Sequence, residues 1–479
     1  MEIEVKNYID GEFVRTTNTY VNKNIVGDPA GPSLRMSCAG PWDLNAAIET
    51  CSRVQPKFQK FDLHLLIEIL KKSMDFYFVN PEEFVILAQM TGSPLNFVKC
   101  AINETKEWVR NFDKFMVNVF GNLDKLHFSS PGPTLAILPS NSEQEALYVI
   151  AQTILARSTI LIRPSSRGAS SYSSVKFVEA WNMAVDYVAK EHSEMLHRVI
   201  NIVNVPDMGG NWELLAIDGW NYVFFGSTDT VQEIEKTIES YANPRNIIGF
   251  GAVLSATIID ESVIEEFSDL QELSKNCLES ISCNRGDECV ATDVFYMNAK
   301  MCGHLYPHFD KLIKDYQSGH SLQEGTIGLV SDVNALSIKE LFQHFGKHEH
   351  LNFSESPTGK ILIHTSMVPL SKHDLVQEFP GPIAGIRVFS SRHELLEMME
   401  FDLKRRTEGK FLTCSIYGND QFFDEIAPQI KAHSLKHNKV SHIVDLHLPH
   451  QGMHLLRELS DITVIERRSK DVSEKENRK

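Results

Sequence analysis

Between residues 134 and 225 the sequence repeats one phrase: a short, unbroken apolar run, a polar stop, then a helical segment. Thr134-Leu-Ala-Ile-Leu138 stops at Pro139-Ser-Asn141 and leads into an apolar helix from Glu143 to about Leu155. Thr159-Ile-Leu-Ile162 is halted by Arg163-Pro164 and precedes a helix around Ser173 to Ala189. Val199-Ile-Asn-Ile-Val203 and Tyr222-Val-Phe-Phe225 are two more such runs, the last closed by Gly226-Ser-Thr228. Runs too short for helices and apolar throughout read as strands buried on both faces. That demands a parallel sheet covered by helices, the doubly wound α/β arrangement. In such a sheet a ligand lies beyond the carboxyl ends of the strands, where Asn141, Arg163 and Ser227 all fall.

Upstream, Tyr8-Ile-Asp-Gly-Glu-Phe-Val14 alternates around an Asp-Gly pair and predicts a tight hairpin. From Leu44 to about Phe78 apolar residues recur at helical spacing, and Pro81 opens a further helical segment. Beyond Ile247 the alternation resumes, with strands expected at Ser255 to Ile259, Val290 to Tyr296, Lys360 to His364 and Ile386 to Phe389, so a second α/β domain should begin near 250. The segment from Glu466 to Lys479 is almost wholly charged and should be disordered.

At about 100 to 200 residues per domain, 479 residues accommodate two or three. Lys plus Arg (47) against Asp plus Glu (63) leaves a net charge of −16, which repels phosphate backbones and argues against nucleic acid as a partner. Eight cysteines with no Cys-x-x-Cys pair read as reduced thiols rather than a disulfide framework. Met1-Glu-Ile-Glu-Val-Lys lacks the basic n-region of a signal peptide, and no span reaches the ~18 apolar residues of a membrane helix. A cytoplasmic location with no membrane partner is the expectation.

Few residues carry chemistry on their own pattern. Cys289 stands between the polar Ser282-Cys-Asn-Arg-Gly-Asp-Glu turn and an apolar, strand-like run. Such a junction can expose a thiol, with Arg285 or backbone amides supplying positive potential; a small buried hydrophobe is the alternative. Cys283 has the same two readings and a place at a helix end. Gly226-Ser-Thr228 follows a buried strand and opens a helix, so its free amides could hold phosphate, or Ser227 and Thr228 could simply cap that helix. Gly249-Phe-Gly251 lacks the third glycine of a dinucleotide fingerprint. His344, His348 and His350, and His433 with His437 at i, i+4, lack the companions of a zinc site and read as solvated helix faces; no metal is expected.

Taken in order, these segments resemble the aldehyde dehydrogenase superfamily over nearly the whole chain. Pro139-Ser-Asn141 looks like its Pro-Trp-Asn, Ile162-Arg-Pro-Ser165 like Lys-Pro-Ser, and Phe225-Gly-Ser-Thr228 like Thr-Gly-Ser-Thr. Asn284-Arg-Gly-Asp-Glu-Cys289 matches the nucleophile segment Asn-Gln-Gly-Gln-x-Cys, and Glu378-Phe-Pro-Gly-Pro382 matches Glu-Ile-Phe-Gly-Pro. The resemblance implies an NAD(P)-binding domain from 1–120 and 134–249, a catalytic domain over 250–445, and a small oligomerisation hairpin from 121–133 with 446–465, in a homodimer or homotetramer. It makes Cys289 the nucleophile. Asn141 and the Cys289 amide would form the oxyanion hole, Gly226 and Ser227 would meet the cofactor, and Glu378 would contact the nicotinamide ribose.

The departures are informative. Hydrolytic members carry a general-base Glu in Glu-Leu-Gly-Gly-Lys; here the stretch reads Gly249-Phe-Gly-Ala-Val-Leu254, so Gly249 replaces the carboxylate. Members that pass the acyl group to coenzyme A lack this base, because a thiol needs no activation. The stretch through Asp260 also looks like the acylating and fatty-acyl thioester reductase branches. The implied reaction interconverts an aldehyde and an acyl thioester, acyl-coenzyme A or carrier-bound. A hydrolytic enzyme with a base elsewhere, such as Glu288, and a non-catalytic structural subunit are the alternatives. Arg163 replaces the family's ribose-binding Lys, and Ser166 and Arg167 replace the Glu that excludes a 2′-phosphate, which favours NADP over NAD.

Overall fold

The computed structural model describes residues 2–22, 31–121, 126–130, 132–139, 144–165, 170–205, 212–251, 253–330, 336–338, 340, 353–355, 361–363, 365–371, 374, 376, 378–379, 381–404, 409–448, 451 and 453–464. Asn141, Ser166, Arg167, His344, His348, His350 and the charged segment 466–479 lie outside the described residues.

Among the described residues the first half builds a seven-stranded sheet in the order Asn246–Phe250, Asn221–Phe225, Thr134–Ile137, Ile160–Arg163, Ile200–Ile202, Asn7–Ile9, Glu12–Val14. The first five strands run parallel. The hairpin closes the edge antiparallel, with Tyr8 opposite Ile202. Its turn residues Asp10 (φ 53) and Gly11 (φ 87) are both left-handed, the geometry a two-residue turn needs to follow the strand twist.

Side chains alternate across this sheet, and both faces are dry. Ala136, Ile160, Ile162, Val223 and Ile248 enter one core, with the helices Leu63–Ser73, Pro81–Thr91, Leu95–Arg110, Gln144–Leu155 and Ser170–Val188. Leu135, Ile137, Leu161, Tyr222 and Phe224 enter the opposite core, against Pro41–Phe58 and Thr228–Tyr241. The helical periodicity from Leu44 to Phe78 resolves into two helices, because the Asp62 carboxylate accepts the Leu65 amide at 2.8 Å and starts a new one.

A second sheet has six strands, all parallel, in the order Ser366–Pro369, Ile383–Phe389, Val294–Asn298, Ala256–Ile259, Phe411–Tyr417, Ala432–His437. The strand expected from Val290 starts later, since the Ala291 amide turns back to the Glu288 carbonyl (2.9 Å) and Thr292 to that of Ser280 (2.9 Å). The expected Lys360–His364 strand forms as Ile361–Ile363 but pairs antiparallel with Phe353–Glu355 in a separate ribbon. His433 and His437 lie on a strand, not a helix. His437 stacks on Phe423 at 4.4 Å and bonds the Gly418 carbonyl through Nε2.

Arg387, on the strand Ile383–Phe389, is buried with Asp402 of the helix Arg392–Leu403: Nε–Oδ2 is 2.9 Å and Nη2–Oδ1 2.7 Å. Its remaining donors reach the carbonyls of Ser371 (2.5 Å) and Asp374 (2.7 Å), and Tyr296 donates to Asp402 at 2.7 Å. The guanidinium therefore moors the segment that leads to Glu378. Leu126–Ser129 pairs antiparallel with Asp461–Val464, joining the segment just before the strand Thr134–Ile137 to the end of the described chain. No described helix is long and apolar enough to cross a membrane.

Candidate active site

One residue beyond the helix Leu270–Ser282, after Cys283, come three consecutive left-handed residues, Asn284 (φ 44), Arg285 (φ 66) and Gly286 (φ 79). For the two non-glycines this conformation costs about 1–3 kcal/mol each and persists only where the surroundings enforce it. Here they do. The buried Arg285 guanidinium bonds the Thr91 carbonyl, Ser93 Oγ at 3.3 Å and Asp287 at 2.8 Å, and Asn284 Nδ2 donates to Glu288 Oε1 at 3.0 Å. At Gly286 a Cβ would stand 2.2 Å from the Gly381 carbonyl oxygen and 2.8 Å from Pro382 Cα, so only glycine fits. The Asn284–Cys289 loop and the Glu378–Pro382 segment thus touch main chain to main chain.

Beyond the turn, the Cys289 carbonyl accepts Ser255 Oγ at 3.0 Å, and the Asp293 carboxylate accepts the Ser255 amide at 2.6 Å. Cys289 is partly exposed, at the junction between this loop and the second sheet. Its thiol is pushed well above the ordinary range by burial, then by the charges of Glu288, Glu145 and Glu378, with Cys283 adding to them. The expected help from Arg285 is absent: its guanidinium is committed to Thr91, Ser93 and Asp287. The free protein therefore keeps Cys289 as a thiol, and ionising it requires a proton acceptor or a change in the surrounding charge.

Sequence reasoning missed several of these neighbours. Glu145, in the first turn of the helix Gln144–Leu155, follows the Asn141 segment and reaches Cys289 electrostatically. Cys283 is raised by burial, by Glu288 and by Glu104 of the helix Leu95–Arg110, and lowered by Lys436. Lys436 itself is brought down to about 8, chiefly by burial, while donating to the Ser441 and Ile443 carbonyls. His442 is brought down to about 4 by burial and by Lys436. These groups come from distant parts of the chain, and no local spacing signals their meeting. No cluster of metal-ligating side chains occurs among the described residues.

At the carboxyl ends of the first sheet, Ser227 caps the helix Thr228–Tyr241: its Oγ accepts the Thr230 amide at 3.3 Å and pairs with Thr230 Oγ1 at 2.9 Å. Gly226 and Ser227 are exposed, and the Gly226 amide bonds the Phe250 carbonyl at 3.1 Å. The capping reading of this turn is met, and the turn itself is exposed at the start of a full-length helix. Arg163 turns toward the neighbouring strand end, with Nη2 donating to the Val205 carbonyl at 3.1 Å and the guanidinium 5.9 Å from the Trp212 ring. Glu378 is exposed next to buried Phe379.

Gly249 lies on the strand Asn246–Phe250, and its Cβ direction is filled. A Cβ there would meet Val231 Cγ1 at 2.6 Å, Phe224 Cε2 at 2.9 Å and Glu235 Oε1 at 2.9 Å.

Residues 30–455 match the aldehyde dehydrogenase family. No curated protein sequence matches significantly. Among solved structures the chain is similar to a salicylaldehyde dehydrogenase from Pseudomonas putida G7 (TM-score 0.80, 15% identity, 98% of this chain and 100% of that one). It is also similar to an NAD-dependent benzaldehyde dehydrogenase from Corynebacterium glutamicum (0.75, 14%, 96% and 98%) and an NADP-dependent enzyme from E. coli (0.75, 14%, 96% and 97%). At these identities the structural likeness speaks for the fold. The match over most of the length carries the assignment: the chain belongs to the aldehyde dehydrogenase family.

Proposed function

We propose that this protein is an NAD(P)-dependent oxidoreductase that interconverts an aldehyde and an acyl thioester through a thioester on Cys289. The observation that carries this reading is Gly249. The position that holds a general-base carboxylate in hydrolytic relatives has no side chain, and packing by Val231 and Phe224 leaves no room for one. Water is then a poor acceptor of the acyl group, and a thiol, which ionises far more readily, takes its place.

The described residues suit a dinucleotide: an exposed Gly226-Ser227 turn at the start of a full-length helix, at the carboxyl edge of a parallel sheet. When bound, the nicotinamide supplies hydride transfer. Gly226 and Ser227 would receive the phosphates, with Arg163, Ser166 and Arg167 around the adenosine ribose, which favours the 2′-phosphorylated form, and Glu378 would hold the nicotinamide ribose. In the chain itself, Cys289 attacks the carbonyl carbon of the acyl thioester and its proton leaves on the departing thiol, so that one C–S bond forms as another breaks, while the Asn141 amide and the Cys289 backbone N–H stabilise the developing oxyanion. The strained, tightly tethered loop holds the sulfur in place for that attack. The implied assembly is a homo-oligomer built on the Leu126–Ser129 and Asp461–Val464 ribbon.

The test is cofactor oxidation, NADPH against NADH, with a panel of acyl-coenzyme A thioesters, and aldehyde oxidation with and without free coenzyme A. Thiol-dependent turnover is expected; aldehyde oxidation to free acid without any thiol refutes the reading. That outcome would favour hydrolysis with Glu288 as base, since Glu288 is buried beside Cys289 and oriented by Asn284.

A further inference from the structure

One surface groove gathers positive charge on a chain whose net charge is −16. It lies where the helix Leu63–Ser73 ends, Pro81–Thr91 begins and Leu95–Arg110 turns one face outward, with a volume of about 490 Å³. That volume is within the usual span of small-molecule sites. Lys99, Asn103, Lys106 and Arg110 recur at i, i+4, i+7 and i+11, so a single helix face presents all four. Asp75, the carboxylate in the lining, is shared between Lys72 at 3.1 Å and Arg110 at 3.7 Å, and Arg110 is also paired with Glu107 at 2.5 Å, which leaves Lys99 and Lys106 as the cations without a carboxylate partner among the described residues.

Lys106 is the unusual member. It is 7% exposed, and its ammonium donates to the carbonyls of Tyr77 (2.7 Å) and Phe78 (3.4 Å). Phe78 holds a left-handed φ of 46°, an arrangement that a bulky residue adopts only under constraint, and its carbonyl is one of those acceptors. Among the described residues neither Lys99 nor Lys106 forms an ion pair. Burial, and then the charge of Arg110, disfavour the Lys106 ammonium, and the nearby carboxylates of Asp75, Glu83 and Glu107 offset this only in part, so a further anion beside Lys106 would be favourable. An ammonium has three donors, and the two carbonyls leave one for a ligand. Beside the cations, Val79, 61% exposed, supplies the accessible apolar surface, above the nearly buried Met74, Phe78 and Phe84.

We propose that this groove binds a small organic anion with an apolar body, its carboxylate or phosphate ester held by Lys99 and Lys106 at the edge of the Arg110 ion pairs and its body against Val79. The site is separate from the Cys289 loop, and the inference does not depend on which reaction that loop performs.

Calorimetric titration of the full chain with octanoate and with phenyl phosphate tests it, with octan-1-ol and inorganic phosphate as controls lacking one half of the ligand. At least one of the two anions should saturate, with each control weaker by about tenfold or more. Whichever anion binds tighter identifies the head group. Lys99→Glu and Val79→Asp, both at exposed positions that leave folding and basal turnover intact, should each weaken binding by about tenfold or more. Lys106→Met should do the same, with thermal melting to confirm that it folds. Binding unaltered in Lys99→Glu and Val79→Asp would place the ligand elsewhere and overturn the proposal. So would equal binding of octan-1-ol, or no saturation by either anion up to about 10 mM.

Discussion

Replacing Arg387 with Met should be among the most damaging single changes outside the reaction site. The guanidinium is 2% exposed and the Asp402 side chain 1%, so neither charge can find water when its partner is lost. Removing one member of such a pair costs about 3–5 kcal/mol, and the Ser371 and Asp374 carbonyls lose their donors as well, for about 1 kcal/mol more. Against a total stability of about 5–15 kcal/mol, a loss of about 4–6 kcal/mol should lower the urea midpoint by roughly 1 M or more. The same change releases the segment that leads to Glu378, so KM for the cofactor should rise in whatever fraction stays folded. Because the damage is an uncompensated buried charge, Arg387→Met/Asp402→Leu/Tyr296→Phe should recover most of the stability, Tyr296 being included because its hydroxyl would otherwise lose its acceptor. Urea unfolding followed by fluorescence and by circular dichroism reads both variants. A loss below about 1 kcal/mol in the single variant, or a triple variant as unstable as the single, would refute the reasoning.

Further outcomes can be stated briefly. Cys289→Ser should abolish turnover and leave cofactor binding, measured by fluorescence quenching, intact; undiminished turnover removes Cys289 from the mechanism. Alkylation of Cys289 by iodoacetamide should be slow at neutral pH and climb into the alkaline range, and Glu288→Gln should speed it at neutral pH, because removing an adjacent negative charge favours the thiolate; an unchanged pH profile would separate Glu288 from the thiol. Gly286→Ala should lower activity sharply and cost at least about 1–3 kcal/mol, since a Cβ would strike the Gly381 carbonyl in a left-handed backbone; a variant with native activity and midpoint would contradict this packing. His442 has a folded pKa lowered from 6.5 to about 4, so the unfolded chain takes up a proton first and stability should fall as pH drops through that interval, by up to about 3 kcal/mol. His442→Leu should flatten that part of the stability profile, and an identical slope in both proteins would reject the assignment.

Local patterns carried the parts of this fold that local physics determines. Asp10-Gly11 announces its hairpin because both turn residues must be left-handed, and the runs at 134, 160, 200 and 222 announce strands because both their faces are dry. His433 and His437 misled because a spacing of four suits a helix face and a strand face equally, four being an even number of residues. A strand is expected at Lys360–His364 and none at Ser366–Pro369, which takes the sheet edge, since a short strand with a polar start and a proline end leaves little trace in a hydropathy reading. The sequence offers Cys289, Gly226 and Ser227 through a motif order, but it does not offer the charge around Cys289. Arg285 looked like its activator in sequence and spends its guanidinium on Thr91 and Asp287, while Glu145, Glu104 and Lys436 reach the two thiols only through tertiary packing.

The contact between Gly286 and Gly381 has a mechanical meaning. Where two segments meet through side chains, rotamer changes absorb small displacements, and one partner can shift by a fraction of an ångström without the other. Here peptide groups abut with nothing between them, and peptide groups have no rotamers. A displacement that presses either stretch toward the other therefore meets main chain at once, and no side chain can turn aside to absorb it. The stretch bearing the sulfur and the stretch leading from Glu378 are held to a minimum separation that the backbone itself sets.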